Sequence, residues 1–159
     1  MKNQNSTLKY LGIGALTAIT VSLFVVPMFK FGISPMPAPP SLLFASVILG
    51  TQVPLPVGLF FHFMYVTIWA YIFLKFIPKV SFLNTSIFSF FLWILAITVF
   101  FPIINWGFLG LSLGLGPKIM IAALMPHFLF DVFLWFYAQK VFKLNQTSGS
   151  ETIEVNESK

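Results

Sequence analysis

Cysteine and arginine are absent from this 159-residue chain, and acidic side chains number only four, Asp131 and three in the last nine residues. Without cysteine there is no disulfide, no thiolate metal site and no sulfur nucleophile, and the redox compartment stays open. Charge of either sign is scarce, at 8% of residues, where a soluble domain carries about 25%. So few charges cannot coat a water-facing surface, and with 58% hydrophobic residues the apolar excess must face lipid. A single acid before the tail leaves no pair of carboxylates for general acid–base work. No activated serine elbow and no zinc-protease signature is present. The run 113–116 (LGLG) is no phosphate loop, because no strand precedes it and no Lys-Ser/Thr pair follows at the right place.

What the chain has is long apolar runs. A spanning helix needs about 20 of them in succession, and four stretches qualify, at about 11–29, 55–74, 86–104 and 119–139. The first exceeds the roughly 7–15 residues of a signal-peptide core and no clear small-x-small cleavage site follows it, so it reads as an uncleaved span. The expected fold is therefore all-α, a four-helix transmembrane bundle forming a single domain over 1–142. Between the first two spans lies an uncharged, proline-rich stretch with Pro35, Pro37, Pro39, Pro40, Pro54 and Pro56. Proline removes backbone donors and breaks helices. The interval 41–50 between these prolines would rise only about 15 Å as a helix, so it is expected as a short interfacial or re-entrant segment.

The nine basic residues, all lysine, lie singly between apolar runs rather than on one basic face. That argues against nucleic acid as a partner and reads as topology. Seven (Lys2, Lys9, Lys75, Lys79, Lys140, Lys143 and Lys159) fall on one side, and two (Lys30 and Lys118) on the other. Positive charge stays cytoplasmic, which predicts both termini inside a bacterial inner membrane. The polar, aperiodic tail 143–159 is expected to be disordered.

The two halves resemble one another. The turn 27–32 (PMFKFG) matches 102–107 (PIINWG), and an Ala-Ile-Thr triplet precedes each, at 18–20 and 96–98. Span two carries His62, Phe63, Met64 and Tyr65, then Trp69 and Tyr71; span four carries His127, Phe128, Leu129 and Phe130, then Trp135 and Tyr137. The matches keep their order, so an internal duplication is expected. Each half would be a helical hairpin entering the membrane in the same direction, which makes a parallel repeat.

Polar residues within the spans are the candidate site. His62 and His127 would lie at matching depth, about 10–12 Å below the outer surface, facing one another across the bundle. Asp131 is four residues after His127 and so shares its helix face. A carboxylate at a helix centre is unfavourable by about 2.5–3.5 kcal/mol on insertion scales, so Asp131 should turn inward and find a partner such as His127. Tyr65 joins this cluster if span two is suitably rotated. Several roles fit these residues. Intramembrane histidines hydrogen-bond across helices as structural glue. Two histidines and a carboxylate can ligate iron, and two facing histidines can hold a haem axially. The same groups could pass protons or a small solute, or bind a lipid- or quinone-like molecule. No cofactor is assigned.

The remaining aromatic residues are expected at the membrane surfaces, Trp69, Tyr71, Trp135 and Tyr137 at the inner one, with a binding box as the alternative for these four, and Trp106 at the outer. Lys30 and Asn105 hold equivalent places in the two turns and would cap helix ends or line an outer vestibule. Gly12 and Gly14 are spaced for close helix approach without completing a G-x-x-x-G motif.

With its paired histidine–aromatic segments, 62–65 and 127–130, the chain resembles a loose group of small four-span prokaryotic inner-membrane proteins. Their second and fourth spans carry a His-aromatic-x-aromatic-Gly pattern. Val66 and Asp131 stand here where that group has glycine. The resemblance covers 11–142 and implies a fold and a location, but no chemistry. The expected function is non-enzymatic, binding or conducting a small ligand or protons at an outward-facing site of His62, His127, Asp131 and Tyr65. Its alternatives are an accessory subunit docking a larger membrane complex and a small metal- or haem-binding redox protein. Beyond the lipid bilayer, partners would be further copies of the chain, since a channel through so small a bundle needs several, or other subunits.

Overall fold

The computed structural model describes residues 2–77 and 79–157, with side chains described over 6–77 and 79–142. Among the described residues the chain is all helical, and four helices are long and apolar enough to cross a membrane. We label them in chain order with the short helix between the first two. They are α1 (Lys2–Lys30), α2 (Pro40–Leu49), α3 (Leu55–Phe76), α4 (Phe82–Ile103) and α5 (Pro117–Glu157). The spanning part of α5 is Pro117–Phe142. The tail expected to be disordered lies outside the described side chains.

The helix ends follow from local chemistry. Pro54 and Pro39 sit at the N-caps of α3 and α2, with a second proline inside each first turn, where the missing N–H has no helical partner to lose. Ser81 caps α4 by accepting from the Asn84 amide at 3.2 Å. Gly50 ends α2 in the left-handed region, φ 67°. These caps lie at or beyond the apolar runs, so α4 begins four residues before the stretch 86–104 that hydropathy marks.

Prolines inside spans have local consequences. Pro102 lacks an N–H and would crowd the carbonyl four residues back. Just before it, Ala96–Phe100 widens into a π-helical turn, with the Phe101 amide bonded to the Ala96 carbonyl. Pro126 does the same service to α5 by leaving the Ala122 carbonyl without its helical donor.

Two hairpins build the bundle by different means. In the first, α1 lies close against α3. A Cβ on Gly14 would come within 2.9 Å of the Thr67 carbonyl, and Ala18 and Ala70 are both fully buried. In the second, α4 and α5 are joined by polar rungs. Trp93 Nε1 donates to the Met120 carbonyl at 2.9 Å, Ser89 Oγ to the His127 carbonyl at 2.5 Å, and Ser86 Oγ to Asp131 Oδ2 at 2.6 Å. Gln139 Nε2 adds a fourth, to the Val80 carbonyl at 2.7 Å. Intramembrane bonds of this kind average about 0.6 kcal/mol each, so the rungs fix register more than they add stability. The hairpins meet along α1 and α5, where Thr20 and Tyr137 share a hydrogen bond of 2.8 Å. Rings of α3 and α4 complete the square, Phe73 lying 5.2 Å from Phe88.

The short helix α2 seats against the N-terminal half of α3. Gly58 allows it, because a Cβ there would stand 2.8 Å from Leu42 Cα. From this seat Phe44 stacks on Phe100 of the π turn at 4.7 Å and meets Phe61 edge to face at 6.2 Å. One side chain of α2 thus reaches rings of both span two and span three. At the same end the segment Phe108–Leu113 folds back through Gly107 and Gly110 at positive φ. Beneath it Trp106 is 4% exposed and edge-on to Phe101 at 5.0 Å. This corrects the expectation of Trp106 at the membrane surface. The fold-back covers the ring.

Candidate functional site

Beside Phe44 there is a cavity of about 210 Å³ lined by residues of α1, α2, α3, α4 and α5. Each helix contributes one stripe. On α3 the wall residues are Leu55, Leu59, Phe61, His62, Tyr65, Val66 and Trp69, of which Leu55, Leu59, His62, Tyr65 and Trp69 follow one another at the three- and four-residue steps of one helix face. On α1 they include Ser22, Val25, Val26 and Phe29, and on α5 Ala122, Ala123, Pro126, His127 and Phe130. The π turn presents Ala96 and Phe100 together with Phe101. The extra residue of a π turn shifts the helical register, and such turns recur at functional sites. From Leu55 to Trp69 the lining extends about 21 Å along the helix axis. Lys30, Ser34 and Ser41 stand near the end formed by the α1–α2 connection.

Three of the four expected site residues therefore come together. His62, Tyr65 and His127 line one cavity, and the two imidazoles lie within electrostatic range of each other. His127 Nδ1 lies 2.7 Å from the Ala123 carbonyl one turn back on its own helix. His62 Nε2 is buried and has no hydrogen-bond partner among the described residues. An unpaired buried polar atom is unfavourable by about 1–3 kcal/mol, and this one belongs to a side chain that lines the cavity.

Asp131 does not join them. It is 4% exposed, but its Oδ2 accepts from Ser86 of α4, and it is not part of the cavity wall. Four residues advance a helix about 40° past a full turn. Across that angle α5 changes its neighbour from the cavity to α4, so Asp131 takes a serine where the sequence offered His127 as its partner. The three-ligand set of His62, His127 and Asp131 is accordingly not assembled. Among the described residues no three His, Asp or Glu side chains converge as a metal site would need.

Trp69 is the functional residue that sequence reasoning placed elsewhere. It was expected at the inner membrane surface, and it forms part of the cavity wall, edge to face with Tyr65 at 6.2 Å. Its spacing of seven from His62 is the signal, since two helical turns return a residue to the same face. The other aromatics near the lysine-rich end behave differently. Lys75 lies over the Tyr71 ring at 5.3 Å and Lys140 over Phe136 at 4.5 Å, while Trp135 meets Phe82. Tyr137 turns inward to Thr20.

The bundle and its cavity define the class: an all-α, multi-pass membrane protein with a mainly apolar pocket inside the spans. Comparison with protein-family models, with curated proteins and with solved structures finds no match.

Proposed function

We propose that this is a non-enzymatic ligand-binding protein of a bacterial inner membrane, holding a small, mainly apolar molecule with one hydrogen-bonding group. The observation that carries this reading is the unpartnered His62 Nε2 on the wall of an otherwise largely apolar cavity. Ligand sites have this composition, apolar walls with a few convergent polar groups. No carboxylate lines the cavity, so the reading rests on His62, His127 and Tyr65 for polarity and on Trp69 for a flat apolar wall. Asp131 belongs to the structural rungs between α4 and α5.

The resemblance to small four-span inner-membrane proteins and the seven-to-two lysine bias support a location with both termini cytoplasmic. The cavity end near Lys30 would then open towards the outer face. Pairing of α1 with α3 and of α4 with α5 supports descent from a duplicated hairpin, the π turn and α2 being where the halves diverged.

The test is occupancy. Protein released from native membranes is examined by native mass spectrometry beside Ala96→Phe protein, whose added ring fills the cavity. The wild type should carry a small-molecule adduct that Ala96→Phe lacks and His62→Ala holds less well. A wild type without adduct, or equal adducts in all three, would defeat the proposal.

A further inference from the structure

On the reading that the cavity binds a ligand, the chemistry of its polar group can be specified further. A backbone carbonyl only accepts hydrogen bonds, so the 2.7 Å contact with the Ala123 carbonyl puts the proton of His127 on Nδ1. In a neutral imidazole this leaves Nε2 as an acceptor, and His127 therefore calls for a donor on its ligand. His62 Nε2 is buried and unpartnered. The Tyr65 hydroxyl, three residues along the same face, can both give and accept. A ligand hydroxyl donates and accepts through a single atom and suits all three. A carbonyl oxygen only accepts, and would set its lone pair against that of His127.

The walls describe the rest of the molecule. Trp69 and Phe100 flank Tyr65 at centroid distances of 6.2 Å each, an arrangement of flat faces and edges. An apolar cavity of about 150 Å³ takes one benzene ring, so the present 210 Å³ houses the ring, and a longer chain extends beyond it. Apolar lining continues from this level towards Lys30, which leaves a path for a chain of methylenes. We infer that the occupant is a hydroxylated aromatic ring bearing a hydrocarbon tail, the chemistry of a quinol or an alkylphenol. Its hydroxyl lies between His62 and His127, and its tail is directed towards Lys30.

Lipid-stripped protein in detergent is titrated with a decyl-substituted benzoquinol kept reduced, the matching benzoquinone, decylbenzene and decanol. Affinity is read from the concentration dependence of the thermal unfolding midpoint, and location from fluorescence quenching that Trp69→Phe abolishes. The quinol should bind about tenfold more tightly than the other three, as one well-made hydrogen bond implies. His127→Ala should erase the preference for quinol over quinone while helicity is retained. Tyr65→Phe, which keeps the ring, should weaken quinol binding severalfold, so the outcome does not depend on His127→Ala folding. Decylbenzene or decanol binding as well as the quinol would overturn the hydroxylated ring, and equal affinity for quinone would overturn the acceptor role of His127. If no probe binds and yet native protein carries an adduct that Ala96→Phe lacks, this inference fails and ligand binding stands. With no adduct either, both fail.

Discussion

His62 and Asp131 each keep one buried polar atom without a hydrogen-bond partner among the described residues, and the two differ in kind. His62 Nε2 belongs to a side chain that lines the cavity. Asp131 Oδ1 lies in the contact between α4 and α5, with its sister oxygen already held by Ser86 at 2.6 Å. The first is the group that the proposed function assigns to a ligand, the second is part of a rung. Removing the hydroxyl should therefore be felt as stability. Ser86→Ala leaves the carboxyl with neither oxygen partnered and should destabilise the protein by about 1–2 kcal/mol. Asp131→Asn keeps an oxygen that can accept from Ser86 and should cost clearly less. Thermal unfolding in detergent ranks the two, and a Ser86→Ala protein as stable as wild type would remove the rung.

At the scale of elements, the first hairpin depends on the absence of side chains where the second depends on their presence. Gly14 faces the Thr67 backbone, while a Cβ on Gly12 would meet nothing within 4 Å. Gly14→Val should push α1 off α3 and destabilise by about 1–3 kcal/mol, as overpacking does. Gly12→Ala on the same helix should be neutral or stabilise by about 0.5–1 kcal/mol through helix propensity. Denaturation midpoints of the pair decide it, and equal losses would mean that both positions face protein. The contrast also measures what sequence alone can deliver. Hydropathy located four spans because lipid demands long apolar runs whatever packs inside. The prolines around 41–50 located α2 because they bar a continuous span there. Sequence does not record which of two glycines touches a neighbour, or that Pro102 relaxes into a π turn that presents Ala96, Phe100 and Phe101 to the cavity. The site was legible in the same measure. His62, Tyr65 and His127 stood out as polar groups in apolar runs, whereas Trp69 looked like any aromatic near a helix end. Asp131 was misassigned by about 40° of helical rotation, an angle set by which helix packs alongside.

At the scale of the whole molecule, all five helices contribute to the cavity wall. Phe44 of α2 stacks on Phe100 of α4 and meets Phe61 of α3, at the end of the bundle away from the contact of Phe73 with Phe88. Which end faces outward then decides whether a ligand enters from the cell's exterior or from the cytoplasm. The helices alternate in direction, so Lys9, Lys75, Lys79 and Lys140 gather at the end away from α2, and Lys30 and Lys118 lie at the end beside it. Positive charge resists translocation, so on the proposed orientation the α2 end and the cavity mouth would lie outside. A reporter active only in the cytoplasm, fused after Lys118, should be silent, and the same reporter fused after Lys143 should be active, since the spanning part of α5 separates them. Activity at both sites would mean that α5 does not cross. The reversed pattern would turn the cavity towards the cytoplasm, and the ligand would then have to be sought among molecules of the cell interior or the inner leaflet.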